Sequence, residues 1–338
     1  MDFKEAMLYE KLKENRVRCN LCAHCCTIFP GNRGICAVRE NREGKLYSLN
    51  YGKAIAANID PIEKKPLFHF LPGSKSYSIA TAGCNFRCEF CQNWDISQLS
   101  KSFKGKFPGF ALPPEKIVTE AIKNNCASIA YTYTEPTIFF EYAYDTAKLA
   151  QKQGLKNVFV TNGYQTPETI EKMVGVIDAA NVDLKSFNEA YYHKVCGAHL
   201  EPVLEAIKFM HKEGIWLEIT TLVVPNLNDS DKELTRIAEF IAGISKNIPW
   251  HVSRFHPDYK MSDSQPTPLE TLHKAVEIGR KAGLNLVYLG NVPGDKNENT
   301  YCSQCGSVVM ERFDYVVQNF LEKGRCPKCG HATPGVYE

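Results

Sequence analysis

Three cysteines within "TAGCNFRCEFCQNW" (81–94), Cys84, Cys88 and Cys91, stand at C-x3-C-x2-C spacing with no fourth close by. Iron–sulfur clusters usually take four thiolates, and structural zinc usually takes four ligands. A set of three implies an open coordination position or a partner far along the chain. Two more groups flank it. Cys302-x2-Cys305, a gap of 20 residues, then Cys326-x2-Cys329 fits a four-thiolate zinc ribbon, and Gly306 and Gly330 follow the pairs as knuckle turns at positive φ prefer. Rubredoxin-like iron is the alternative there, since tetrahedral sulfur sites accept either metal. Near the start, Cys19-x2-Cys22-x3-Cys26-x9-Cys36 offers ligands for zinc or an auxiliary iron–sulfur cluster, with Cys25 competing for a place in the set. Cys126 and Cys196 stand alone and are expected to be small buried hydrophobes.

Fourteen cysteines in 338 residues, with no export signal, read as metal ligands rather than disulfides. The opening "MDFKEAMLYEKLKENRVRC" carries charge throughout, and no apolar run is long enough to span a bilayer. A soluble cytoplasmic protein is expected. Forty basic against 38 acidic residues leave a formal charge of +2, too little to single out nucleic acid or an anionic membrane.

The elements that must position these cysteines alternate along the middle of the chain. Beta-type runs stand at 76–81, 128–134, 157–163, 181–186, 216–224, 250–256 and 284–290. Helical patterns lie between them, among them "PPEKIVTEAIKNN" and "DSDKELTRIAEFIAGIS", the second opening on aspartate and serine cap candidates. Strand–helix alternation calls for an α/β fold with a parallel sheet, either partly closed or open and doubly wound. Functional groups are then expected just after each strand, where the three-cysteine loop falls. The organisation expected is a Cys-rich metal-binding module (1–50), a connector (51–75), the strand–helix body (76–292) and a zinc-ribbon-like tail (293–338). Glu63, Lys64, Lys65 and His69 of the connector are expected over the cysteine loop or in solvent.

Cys84, Cys88 and Cys91, with Phe90 before the last cysteine, resemble the signature of the radical S-adenosylmethionine (SAM) enzymes. That resemblance implies a partial (β/α)6 TIM-type barrel and a [4Fe-4S] cluster whose fourth iron is chelated by SAM. It also implies anaerobic chemistry, in which one-electron reduction by ferredoxin or flavodoxin cleaves SAM to a 5′-deoxyadenosyl radical that abstracts hydrogen from substrate. The family's glycine-rich "GGE", which meets SAM's amino group, is replaced here by "YTYTEPT" with Thr134, Glu135 and Pro136. "VTNG" with Asn162 and "VDLK" with Asp183 and Lys185 resemble the next strand ends of the glycyl-radical activase branch, near the ribose and carboxylate of SAM. "RCNLCAHCC", "PGNRGICAVREN", "DPIEKKPLFHF", "TTLVVPNLND" and "PWHVSRFHPDYKM" together resemble the radical SAM enzymes of the AmmeMemoRadiSam system over nearly the whole chain. The same spacing in those relatives favours Cys26 over Cys25. His256, after the sixth beta run, is a candidate to position substrate or donate a proton.

Three functions follow for test: hydrogen abstraction from an unidentified small molecule, nucleotide or RNA, with the system's other proteins as partners; activation of a glycyl-radical enzyme; or a non-enzymatic zinc-ribbon binding module. The last explains the ends of the chain but not its middle.

Overall fold

The computed structural model describes residues 3–103 and 107–338. Its centre is one eight-stranded sheet: β1 (Ala56–Pro61), β2 (Lys75–Ala80), β3 (Ser128–Tyr131), β4 (Lys156–Thr161), β5 (Ala179–Asp183), β6 (Trp216–Val223), β7 (Trp250–Arg254) and β8 (Val287–Gly290). Spatial order follows chain order without reversal. A doubly wound sheet reverses at a switch point, so that alternative is excluded. β2 to β8 run parallel, and β1 pairs antiparallel with β2 at the edge. All seven beta runs of the sequence became strands.

Six longer helices separate the strands: α1 (Pro114–Lys123), α2 (Phe140–Gln151), α3 (Pro167–Met173), α4 (Leu200–Lys212), α5 (Asp231–Ile244) and α6 (Leu269–Lys281). Proline opens α1 and α3, where its missing N–H costs nothing. Ser230 caps α5, accepting from Glu233 N, and Thr166 caps α3. Strand residues alternate between two faces. Ile129, Phe159 and Ala180 join the large core that includes helix residues such as Ile117 and Ala147.

The opposite face is filled from an unexpected source. Ala130, Val158 and Ala179, level with one another across β3–β5, pack against Ile62, Leu67 and Phe70. Residues 51–75, expected to be a connector, therefore supply both an edge strand and a plug for one end of this face. Leu67 and Phe70, at most 1% exposed, are each worth about 1.5–3 kcal/mol of burial. Lys64 lines the same cavity as the cysteine loop, whereas Glu63, Lys65 and His69 turn inward. Lys65 reaches Asp60 at 2.6 Å while buried, and Glu63 accepts from Gly73 N at 2.7 Å. Glu218 on β6 accepts from Phe68 N and His69 N at 2.9 and 2.8 Å.

His69 is completely buried, with its ring nitrogens 2.7 Å from Pro334 O and 2.6 Å from Tyr288 Oη. Beside it Val336 N donates to His69 O at 2.7 Å, so the tail is stitched to the plug. Burial lowers the His69 pKa to about 4. The unfolded chain then binds more protons below its ordinary value of 6.5. Stability is full above that value and is lost as pH falls toward 4, by about 3 kcal/mol in total. Urea unfolding at pH 7 and pH 5 is expected to show about 2 kcal/mol of this loss in the wild type and a shallower pH dependence in His69→Gln.

Candidate functional site

The other half of the inner face is open. Thr132 beyond β3, Val160 on β4, Asn181 and Asp183 on β5, Thr220 and Leu222 on β6, Ser253 on β7 and Asn291 beyond β8 line a cavity of about 480 Å³. Pro66 of the plug also lines it, and the cysteine loop after β2 contributes Cys84, Cys88, Phe90 and Cys91. The cavity lies toward the C-terminal ends of the strands, as an α/β sheet requires.

Gly83 sets the loop against its surroundings. Its φ is +114°, and a Cβ there would fall 2.8 Å from Ser100 Oγ and 2.9 Å from Val38 Cγ1. Only glycine permits that approach. Phe86 N donates to Cys84 Sγ at 3.4 Å, and Ser97 Oγ lies 3.3 Å from Cys91 Sγ. Cys88 is buried against Cys196, whose thiol, ahead of burial itself, raises the Cys88 pKa well above its usual value. Cys196, expected to be a small buried hydrophobe, is fully buried and also backs the cysteine loop: Arg87 N donates to Cys196 O at 2.9 Å. Nothing in the spacing of Cys196 signals this, because the contact spans more than a hundred residues.

Of the other candidates, Phe90, Thr134, Glu135, Asn162, Asp183 and Lys185 all line the cavity. Glu135 ties two strand ends together. Its carboxylate accepts from Thr137 N (3.0 Å), Thr137 Oγ1 (2.5 Å), Thr161 Oγ1 (2.7 Å) and Asn162 N (2.8 Å). Burial nevertheless outweighs these donors and raises its pKa. Replacing one oxygen with an amide sets an N–H against an N–H, so Glu135→Gln is expected to cost about 1–3 kcal/mol, measurable as a lower urea midpoint.

The missing glycines leave a visible trace. Tyr133 has φ 63°, and Thr134 N donates to Thr132 O at 2.7 Å, forming the strained kind of γ-turn. The Tyr133 hydroxyl bonds the Asp60 carboxylate, and Lys65 Nζ sits 4.5 Å from the ring centre. Side-chain contacts thus hold a left-handed turn that glycine would make freely. Thr134 Oγ1 donates to Thr81 O at 2.8 Å, joining the ends of β2 and β3.

Asp183 and Lys185 form an ion pair of 2.9 Å, and Lys185 Nζ lies 5.5 Å from the centre of the Phe90 ring. Burial opposes the Lys185 charge, but Asp183 and the Cys88 and Cys196 thiols outweigh it and raise the pKa. Asn162 Nδ2 donates to Asn85 Oδ1 at 2.8 Å, linking the β4 end to the cysteine loop. His256 is exposed and lies outside the cavity lining; Ser253 and Asn291 occupy its wall instead.

The flanking cysteines gather in two other places. In the tail, Cys302 Sγ lies 3.6 Å from Cys329 Sγ and Cys305 Sγ 3.7 Å from Cys326 Sγ, and all four sulfurs fall within 4.8 Å of one another. Such a convergence can bind one metal ion. In the head, Cys19, Cys22, Cys26 and Cys36 line one small cavity. Cys25 lines a different one with Pro167 and Phe209.

The Radical SAM superfamily profile matches residues 78–238, the span from β2 into α5. The uncharacterized protein MJ0808 of Methanocaldococcus jannaschii is 48% identical over 331 residues, covering 97% of this chain and 98% of that one. Pyruvate formate-lyase 1-activating enzyme of Escherichia coli K12 is 23% identical over 221 residues, 61% of this chain and 89% of that one. A radical SAM methyltransferase from Sphaerobacter thermophilus shares the fold at TM-score 0.53 and 13% identity, over 71% of each chain. No helix among the described residues is long and apolar enough to cross a membrane. With three cysteines and the strand ends facing one cavity, and with sequence relatedness reaching to the activating enzymes, the chain belongs to the radical SAM superfamily and is an enzyme.

Proposed function

We propose that this enzyme binds a [4Fe-4S] cluster at Cys84, Cys88 and Cys91 and SAM beside it, and abstracts hydrogen from a substrate admitted to the same cavity. The carrying observation is that three thiols and the polar ends of six strands share one 480 Å³ space. The donor set fits the group: a three-thiolate loop leaves one coordination position for an exogenous ligand, and the strand ends supply acceptors and a cation around it. When bound and reduced by ferredoxin or flavodoxin, the cluster with SAM supplies a 5′-deoxyadenosyl radical.

This chain's own residues do the positioning. Thr134 and the Tyr133 turn present backbone toward the amino group of SAM. Glu135 fixes that turn against β4, and Asn162 braces the β4 end against the cysteine loop. The Asp183–Lys185 pair faces ribose and carboxylate, with Phe90 packed under the ammonium. Residues 62–71 close the floor and keep water from that side. His256 keeps a part only if substrate reaches the rim. The singly wound strand order supports a partial barrel, and the tail cysteines are assigned to zinc.

Within the superfamily, the chain is assigned to the AmmeMemoRadiSam branch on its head, connector and tail phrases. Activation of a glycyl-radical enzyme is the second reading, favoured by the likeness to the E. coli activating enzyme. Anaerobic reconstitution tests the proposal: the reduced [4Fe-4S] EPR signal is expected to change on adding SAM. Iron and sulfide that load without a SAM-sensitive signal would overturn it. Deuterium-labelled candidates, followed into 5′-deoxyadenosine, separate the two readings of substrate.

A further inference from the structure

Three cysteine sets in one chain allow an internal comparison. The tail quartet draws its sulfurs toward a point. Tetrahedral zinc, with Zn–S near 2.3 Å, places sulfurs about 3.8 Å apart, close to the separations of 3.6 and 3.7 Å found there. Among the described residues it is the one group of three or more potential ligands whose donor atoms all lie within 4.8 Å of one another. Neither the loop trio, which the family assigns to a four-iron cluster, nor the head quartet forms such a converged group among the described residues; Cys19, Cys22, Cys26 and Cys36 instead line one common cavity. A cubane sets a separate iron behind each sulfur and needs a wider spacing than a single ion does.

Turn geometry separates the sets in the same way. Each tail pair is followed by a glycine at φ +71° or +72°, with Gly306 N donating to Cys302 O and Gly330 N to Cys326 O. Cys22 is followed by Ala23, which makes no such turn; Ala23 N donates instead to Tyr164 O on the β4–α3 loop.

The head cavity also touches the cysteine loop. Asn85, next in sequence to Cys84, lines it with Ile138, and the Asn85 Nδ2 is buried without a hydrogen-bond partner among the described residues. Arg39, 2% exposed, points a guanidinium nitrogen at Cys19 Sγ from 3.6 Å, a buried cation suited to a net-negative thiolate cluster.

We infer that Cys19, Cys22, Cys26 and Cys36 hold a second [4Fe-4S] cluster, separated from the cysteine-loop site by little more than the side chain of Asn85. The inference concerns different ligands from those of the proposed function, so the two can fail separately.

The full-length chain, reconstituted anaerobically with ferrous iron and sulfide, is expected to bind about eight irons and eight acid-labile sulfides. The triple variant Cys84→Ala/Cys88→Ala/Cys91→Ala, which leaves the head intact, is expected to keep about half of each, with a reduced-state EPR signal indifferent to SAM. Cys26→Ser/Cys36→Ser is expected to keep the other half and its SAM response, and Cys25→Ser to keep all of it. Both clusters reduced together are expected to show spin–spin broadening that neither multiple variant shows. A triple variant whose only metal beyond the single ion of the tail quartet is zinc, or iron without sulfide, overturns the inference, because a mononuclear site carries no sulfide. Loss of the SAM response in the wild type would bear on the proposed function alone.

Discussion

Alanine at Cys88 is expected to reduce formation of 5′-deoxyadenosine from SAM to background, and alanine at Cys84 or Cys91 to do the same. The loop offers three thiolates, and an open site has no spare ligand to lose. Changing partners that merely orient a ligand commonly costs about 10–100-fold, so losing the ligand itself should exceed that range. Cys88 is the most buried of the three, and water has little access to replace it. Cys196 provides the control. It packs behind Cys88 without lining the cavity, so Cys196→Ala is expected to lower turnover by no more than about 10–100-fold, short of background. Chromatographic measurement of 5′-deoxyadenosine from dithionite-reduced protein checks both. Wild-type turnover in Cys88→Ala would refute the ligand assignment.

The largest effect on stability is expected at Arg39. Its guanidinium pairs with the Glu141 carboxylate of α2, donates to Met7 O at 3.0 Å and approaches Cys19. Neither partner is more than 2% exposed, and Arg39 Nε and Glu141 Oε2 have no hydrogen-bond partner among the described residues. Glu141 also accepts from Met7 N at 2.7 Å, so one carboxylate anchors the head to the sheet's helical layer. Removing one member of a buried pair leaves an uncompensated charge, at a cost of about 3–5 kcal/mol. Arg39→Met is expected to lose that much in chemical denaturation of the metal-loaded protein. The double variant Arg39→Met/Glu141→Leu is expected to recover most of it, since well-packed apolar residues often replace a buried ion pair without loss. Equal losses in the single and double variants would show that the contacts with Met7 and Cys19, rather than the charge, stabilise the head.

Different parts of the chain were legible to different degrees. Most of the seven parallel strands could be read because they are short runs with β-branched and aromatic residues between turn signals. β1 could not: "AANIDP" has one β-branched residue among alanine, asparagine, aspartate and proline, poor strand formers, and it holds an edge through pairing with β2. The plug was misread because its charges suggest solvent. Lys65, His69 and Glu63 are buried through partners such as Asp60, Tyr288 and Gly73, two of them nearby and one more than two hundred residues away. His256 was chosen for following a strand, yet its side chain is exposed and the cavity wall there is made by Ser253 and Asn291.

By itself, the sequence determined what is local. Three thiols within eight residues must share one loop, and two Cys-x2-Cys pairs can close a small tail around one ion, because short loops bring ligands together at little entropic cost. The tertiary structure decided what depends on distant contacts. It placed Cys196 behind Cys88, replaced the missing glycines with a Tyr133 turn held by Asp60, and made the supposed connector the cavity floor. It also brought the head cysteines up against Asn85. Burial and long-range hydrogen bonds settle those arrangements, and neither leaves a periodic mark along the chain.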